Sequence, residues 1–135
     1  LELAVGSRIE QLMRQPCVNL VGKDTLLEML ATLQRATALL SPDSGPAHMA
    51  TTVGTPVIGV YAATNPARSG PYYSRSWCVD RYDAAARDFL GRPANDVAWT
   101  TKIERPGVMD LIQVDDVIER LDALVAAGAP RTPTG

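Results

Sequence analysis

The sequence predicts a three-layer α/β domain built on a parallel sheet, and three observations carry that reading. Short apolar runs at 17–21, 37–41 and 55–62 have strand character. Amphipathic helical runs of about two to three turns separate them, and near-continuous apolar strands joined by helical crossovers suit a parallel sheet covered on both faces. The length, 135 residues, is that of one domain with a real hydrophobic core.

Each element has a local reason. In SRIEQLMR (7–14), Ile9, Leu12 and Met13 share a helical face, with Ser7 as candidate cap. The preceding LELAV either extends this helix or ends a strand, and Pro16 stops it. A strand is expected from Cys17 to Val21, ending at Gly22. In DTLLEMLATLQRA, Asp24 or Thr25 can cap, and Glu28 stands at the capping-box position after Thr25. Leu26, Leu27, Leu30, Ala31 and Leu33 make the apolar stripe of that helix. TALLS then reads as strand, AHMATTVG as helix and TPVIGVYA as strand. Beyond Ala63 the texture loosens. TNPARSGPYYSRS is a loop, WCVD an edge strand, and 82–105 irregular with a short helix. LIQVDDVIERLDALVAA closes the domain, with Asp115 as candidate cap and Val117, Ile118, Leu121, Leu124 and Val125 facing inward. The domain thus covers 1–127, and 128–135 reads as a flexible tail.

Composition narrows the function classes. Apolar residues make up 46% and charged residues 21%, a globular balance rather than a disordered one. Thirteen basic against fifteen acidic residues give a net charge of −2, which disfavours generic nucleic-acid binding. Cys17 and Cys78 lie too far apart in sequence for a metal pair, and read as reduced core thiols in an intracellular setting. No His/Cys cluster has zinc spacing and no EF-hand loop is present, so no metal is expected. No apolar run approaches the roughly 20 residues that span a bilayer, and no signal-peptide pattern opens the chain. Because Leu1 rather than methionine stands first, the sequence reads as starting partway through a longer polypeptide.

The decamer SPDSGPAHMA (41–50) concentrates the chemistry. It follows a parallel strand and opens a helix, with Pro46 expected at the first helical position. Ligands of open α/β sheets sit outside the carboxyl ends of the strands. A helix start offers unpaired N–H groups and the positive end of a dipole, so a phosphate or pyrophosphate is the natural guest. Gly45 would let the backbone approach, Ser44 adds a hydroxyl, and His48 can face the same space. The plainer alternative is that Asp43 or Ser44 caps the helix and Gly45 serves the turn. The loop after the next strand carries Thr64, Asn65, Arg68, Ser69 and Gly70. It either closes over a ligand's polar part or is a surface loop pinned by prolines. Gly22, Lys23, Asp24 and Thr25 form a third edge. The P-loop pattern is missing there, and Lys23 either reaches a phosphate or is solvated. His48 alone makes no triad. Asp43 suits hydrogen bonding to a sugar hydroxyl better than proton abstraction, and no separate general base stands out.

From LVGKDTLLEML through SPDSGPAHMATTVGTPVIGVYA to NPARSGPY, the chain resembles the C-terminal half of the heptosyltransferases of lipopolysaccharide core synthesis, glycosyltransferase family 9. The most specific segment is D-[ST]-G-x-x-H-x-A-x-x-x-G-x-P, met here by Asp43, Ser44, Gly45, His48, Ala50, Gly54 and Pro56. The resemblance is strong over residues 17–73, and weaker to 125. It implies the Rossmann-like C-terminal domain of a two-domain GT-B enzyme, truncated at its start. It also implies an inverting transfer of heptose from ADP-L-glycero-β-D-manno-heptose to the lipopolysaccharide inner core. Asp43 would hold heptose hydroxyls, Ser44 and Gly45 the diphosphate with His48 beside it, and Gly22–Thr25 would lie near the adenosine. Thr64, Asn65 and Arg68 are expected as loop contacts.

The resemblance further implies that the general base, an aspartate, lies in an N-terminal acceptor domain outside this chain. The fragment alone would then bind donor without transferring sugar. No tightly bound cofactor is implied, and divalent-cation assistance is left open. The enzyme is expected in the cytoplasm, peripheral at the inner membrane's cytoplasmic face. Two alternatives remain at this level: a non-catalytic nucleotide-binding module, and a related transferase using another nucleotide sugar.

Overall fold

The computed structural model describes residues 2–128. Apart from Gly128, the expected flexible tail lies outside the described residues. The first helix, α1, spans Glu2–Leu12, so LELAV extends it. Ser7 sits inside the helix and does not cap it. Gly6 lies within this helix. A Cβ there would lie 2.8 Å from Val21 Cγ2, so glycine lets the following segment cross close to α1.

That segment corrects the sequence reading, because 17–21 forms no strand and Val21 already lies in a turn. A strand needs a ladder neighbour, and among the described residues none lies beside it. Local bonds serve instead. Asn19 Oδ1 accepts from the Val21 N–H at 3.1 Å, while Asn19 Nδ2 donates to Glu10 at 3.1 Å. Val18 stays 83% exposed. Lys23 N–H donates to Leu20 O at 2.9 Å, closing a turn in which Gly22 takes φ 70°.

The second helix, α2 (Leu26–Arg35), starts where the capping-box spacing places it. Thr25 Oγ1 accepts from the Glu28 N–H, and Glu28 accepts from the Thr25 N–H at 2.8 Å. Two of the unpaired N–H groups at the helix start are thereby satisfied. These bonds hold the Glu28 carboxyl below its ordinary range, the Thr25 backbone N–H contributing most.

Three strands follow: β1 (Leu39–Ser41), β2 (Val57–Tyr61) and β3 (Val79–Asp80). They lie in the order β1-β2-β3, all parallel, with Leu39 opposite Val57 and Val60 opposite Val79. Between β1 and β2 runs α3 (Gly45–Thr52), with Gly45 first and Pro46 second rather than first. The one-turn α4 (Pro66–Ser69) follows β2. Next come α5 (Tyr82–Leu90), ended by Gly91 in left-handed conformation, and α6 (Val114–Ala126).

Two clusters form the core. Leu33, Ala47, Ala50 and Val57 join α2 and α3 to β2. Ala47 and Ala50 are fully buried, and their small side chains let α3 lie close on the sheet. Thr55 Oγ1 donates to Leu33 O at 2.6 Å, tying the end of α2 to the turn before β2. The second cluster unites Ala62, Tyr82, Ala85, Ala86, Ile103 and Val108. Meanwhile α6 lies against β2 and β3, with Leu124 fully buried. Burying a side chain such as Ile58 or Leu124 is worth about 1.5–3 kcal/mol.

The start of α6 also departs from expectation. Its N-cap is Gln113, not Asp115. Asp116 accepts from the Gln113 N–H at 3.1 Å and from Arg81 Nη2 at 2.7 Å. These contacts, Arg81 foremost, hold the Asp116 carboxyl below its ordinary range. No side-chain bond from Asp115 was needed, since Asp116 is placed to reach back.

The two cysteines separate. Cys78 is buried beside β2, but Cys17 is exposed, so the core-thiol reading holds for Cys78 alone. Burial pushes the Cys78 thiol up from its ordinary value. With Ellman's reagent at neutral pH, Cys17 is expected to react promptly in the native protein, and Cys78 only after denaturation. Prompt reaction of Cys78 would contradict its burial.

Candidate functional site

Adjacent parallel strands deliver their following loops to the same edge of a sheet. Here β1 leads into Pro42, Asp43 and Ser44, and β2 into Ala62–Asn65 and α4. The two loops meet in one bond: Ser69 Oγ donates to Asp43 Oδ2 at 2.6 Å, across 26 residues of sequence. Both groups are half-buried.

Local structure fixes Ser69. Asn65 caps α4, its Oδ1 accepting from the Ala67 N–H at 2.9 Å, and Pro66 starts the turn. The Gly70 N–H closes it onto Pro66 O at 2.9 Å. A Cβ on Gly70 would lie 2.5 Å from that same carbonyl oxygen, so only glycine permits the closure. The loop before α4 is held from the far side, where Ile103 N–H donates to Ala63 O at 2.8 Å.

The decamer is not a plain cap. Ser44 is the N-cap of α3 but makes no capping bond. Its hydroxyl lies 2.8 Å from Ser41 Oγ, and Ser41 is also bonded to Pro42 O at 3.0 Å. Asp43 turns toward Ser69 rather than toward the helix. Gly45 and His48 are exposed, and nothing stands within 4 Å of where a Gly45 Cβ would be. The start of α3 is therefore open to an incoming group.

Beside this edge lie polar groups with no partner among the described residues. Arg68 Nε is one of them, buried and unbonded. Burial pushes the Tyr82 hydroxyl up from its ordinary value, and the positive charge of Arg68 partly offsets this. Tyr82 itself donates to Thr101 O at 2.9 Å. The Tyr61 hydroxyl is likewise buried and unbonded, and its proton is held far above the ordinary phenol range. Burial is the main cause, with the nearby Cys78 and Asp43 adding to it.

The third edge is reached more indirectly. Val21, next to Gly22, and Pro46, next to Gly45, line one apolar cavity of about 550 Å³ with Val5, Ile9 and Met29. Lys23 Nζ donates to Asn19 O at 2.9 Å, Thr25 is engaged in its capping box, and Asp24 is exposed. Thr64 is half-buried in the loop before α4. The fold thus brings Asp43, Ser44 and the α4 loop together, while the 22–25 segment is linked to the start of α3 only through its neighbour Val21, which shares the cavity lining with Pro46.

In sequence, Ser69 is one polar residue among several in its loop with no distinct role, and Tyr61 reads only as strand. A serine directly before a glycine that closes a proline-started turn is the signal that could have singled out Ser69. Among the described residues no group of three or more His, Cys, Asp or Glu could hold a metal ion, and no helix is long and apolar enough to cross a membrane.

Chemically, the edge offers a carboxylate with one oxygen already held, an open helix start and a guanidinium whose buried Nε has no partner among the described residues. That set suits a ligand carrying both hydroxyls and an anionic group.

Comparison with known proteins agrees in kind. The family model for glycosyltransferase family 9 (heptosyltransferase) matches residues 2–98. The chain is 40% identical over 123 residues to the lipopolysaccharide core heptosyltransferase OpsX of Haemophilus influenzae, covering 91% of this chain and 35% of that protein. It is 38% identical over 79 residues to lipooligosaccharide heptosyltransferase 2 of the same organism, covering 56% of this chain and 23% of that one. To lipopolysaccharide heptosyltransferase 3 of Escherichia coli it is 30% identical over 135 residues, 99% of this chain and 36% of the other. The chain spans about a third of the length of OpsX and of heptosyltransferase 3. No solved structure matches it.

Proposed function

The chain belongs to glycosyltransferase family 9, and on that premise we propose that it is the donor-binding half of an inverting heptosyltransferase. The donor is ADP-heptose and the acceptor the inner core of lipopolysaccharide. One observation supports this reading most: Asp43 is held by Ser69 at the strand edge, beside the uncapped start of α3. A sugar hydroxyl can reach the carboxylate while the diphosphate approaches the helix start.

In this reading Ser44 and Gly45 bind the diphosphate with His48 next to it. Arg68 supplies positive charge to the departing nucleotide, and Thr64 and Asn65 border the loop. The turn Gly22–Lys23–Asp24–Thr25 lies on the nucleoside side. The general base that activates the acceptor hydroxyl lies outside this chain. These residues therefore bind donor, and do not transfer sugar unaided. No tightly bound metal takes part, and the enzyme works at the cytoplasmic face of the inner membrane.

The test is calorimetric titration of the full-length protein with ADP-heptose, ADP and a second nucleotide sugar. ADP-heptose is expected to bind most tightly, and transfer to a lipopolysaccharide core acceptor to follow. Equal affinity for ADP and ADP-heptose, without transfer, would support a nucleotide-binding module instead. Preference for the second sugar would reassign the donor.

A further inference from the structure

We propose that Ser69 is a positioning residue for donor recognition, holding one oxygen of Asp43 so that the other faces a hydroxyl of the donor sugar. The proposal rests on the donor-binding reading given above.

A carboxylate has two oxygens and about four lone-pair sites, and on a loop it can rotate among several orientations. Here Oδ2 receives the Ser69 proton at 2.6 Å, within the range of short charge-assisted O–H···O⁻ bonds. The serine has one proton and two acceptors within reach, Asp43 Oδ2 and Asn65 O at 3.4 Å. The shorter, charged contact takes it. Because the bond spans two loops, it fixes the carboxylate relative to α4 as well as to α3. The α4 turn is itself rigid, capped by Asn65 and closed by a glycine that no larger residue can replace. Oδ2 is thus occupied, and Asp43 has no second hydrogen bond among the described residues. Its Oδ1 is the acceptor left for a ligand.

A positioning role predicts a divided effect. The nucleotide does not need the orientation of Asp43, whereas the sugar does. In the full-length protein, Ser69→Ala should weaken ADP-heptose binding roughly tenfold and change ADP binding by less than about twofold. Ser69→Thr, which keeps the hydroxyl, should restore most of the difference. In an Asp43→Ala background, Ser69→Ala should cost nothing further, because the group it orients is gone.

Calorimetry with ADP and ADP-heptose reads all of these. Wild-type-like ADP-heptose binding by Ser69→Ala overturns the proposal. So does an equal loss for both ligands, which marks a general disturbance of the loop, or a full additional loss in the Asp43→Ala background. A wild-type protein with no advantage for ADP-heptose over ADP overturns the donor reading and this proposal together. A wild-type advantage that survives intact in Ser69→Ala overturns this proposal alone.

Discussion

In the full-length protein, Asp43→Ala is expected to lower kcat/KM for the proposed heptose transfer on the order of 100-fold, while inhibition by ADP stays near the wild-type value. The magnitude is that of losing a charged hydrogen bond to the proposed donor sugar in a half-buried setting, worth about 1.5–3 kcal/mol. The selectivity follows from geometry. The carboxylate bonds across to Ser69 and leaves the backbone at the start of α3 unobstructed, so an anionic group keeps its site when the acid is removed. Asp43→Asn should fall between the two, since the amide keeps one acceptor oxygen but loses the charge. Initial rates against donor concentration, with ADP as competing inhibitor, check both parts. An Asp43→Ala enzyme with wild-type kcat/KM would remove Asp43 from sugar recognition. One that lost ADP inhibition to the same degree would mean that the acid shapes the whole edge.

Gly59→Ala destabilises the fold by about 1–3 kcal/mol, the usual penalty for forcing extra volume into a packed core. Gly59 lies mid-strand in β2, with Ser41 opposite and the Tyr61 ring folded back over it. A Cβ at this position would collide with the Tyr61 ring and come within 2.9 Å of Cys78 Sγ. Neither neighbour can move cheaply, since Tyr61 is 1% and Cys78 7% exposed. Gly45→Ala is the matched contrast, because its added methyl meets open space. Thermal denaturation followed by circular dichroism should show a midpoint lower by several degrees for Gly59→Ala, and little change for Gly45→Ala. An unshifted Gly59→Ala midpoint would mean that Tyr61 finds another rotamer at no cost.

Elements fixed by short-range chemistry were readable from sequence. The pairing of Thr25 with Glu28 is a contact between near neighbours, and it put the start of α2 on the correct residue. Apolar continuity gave β1 and β2, and the Asp43 loop was assigned to the correct edge because adjacent parallel strands allow no other. Elements that depend on a distant partner were not readable. Residues 17–21 have strand composition, but a strand exists only beside another strand, and composition cannot supply one. Ser7 has the side chain of a cap, but the helix begins upstream at Glu2, and a serine in a helix interior carries no local mark that separates the two roles. At α6, two adjacent aspartates competed for the start. The tertiary partner Arg81 engages Asp116. The hydrogen bond that organises the site joins residues 26 apart, and neither residue's immediate neighbours announce it. The candidate ligand groups were therefore legible one by one, whereas their mutual arrangement was not.

The order of the strands across the sheet is also their order along the chain. Leu39 pairs with Val57 and Val60 with Val79, so each ladder closes a loop of fewer than twenty residues. Closure entropy grows only slowly with loop length, and folding rate falls as contacts become more distant in sequence. The sheet can therefore zip in the order in which the chain emerges, each strand docking on the one before it. The first closure brings Asp43 to the edge beside β2, and Ser69 lies in the span closed by the second, both ahead of α6. The contact between Asp43 and Ser69 can then form once both ladders are in place, before the closing helix covers β2 and β3.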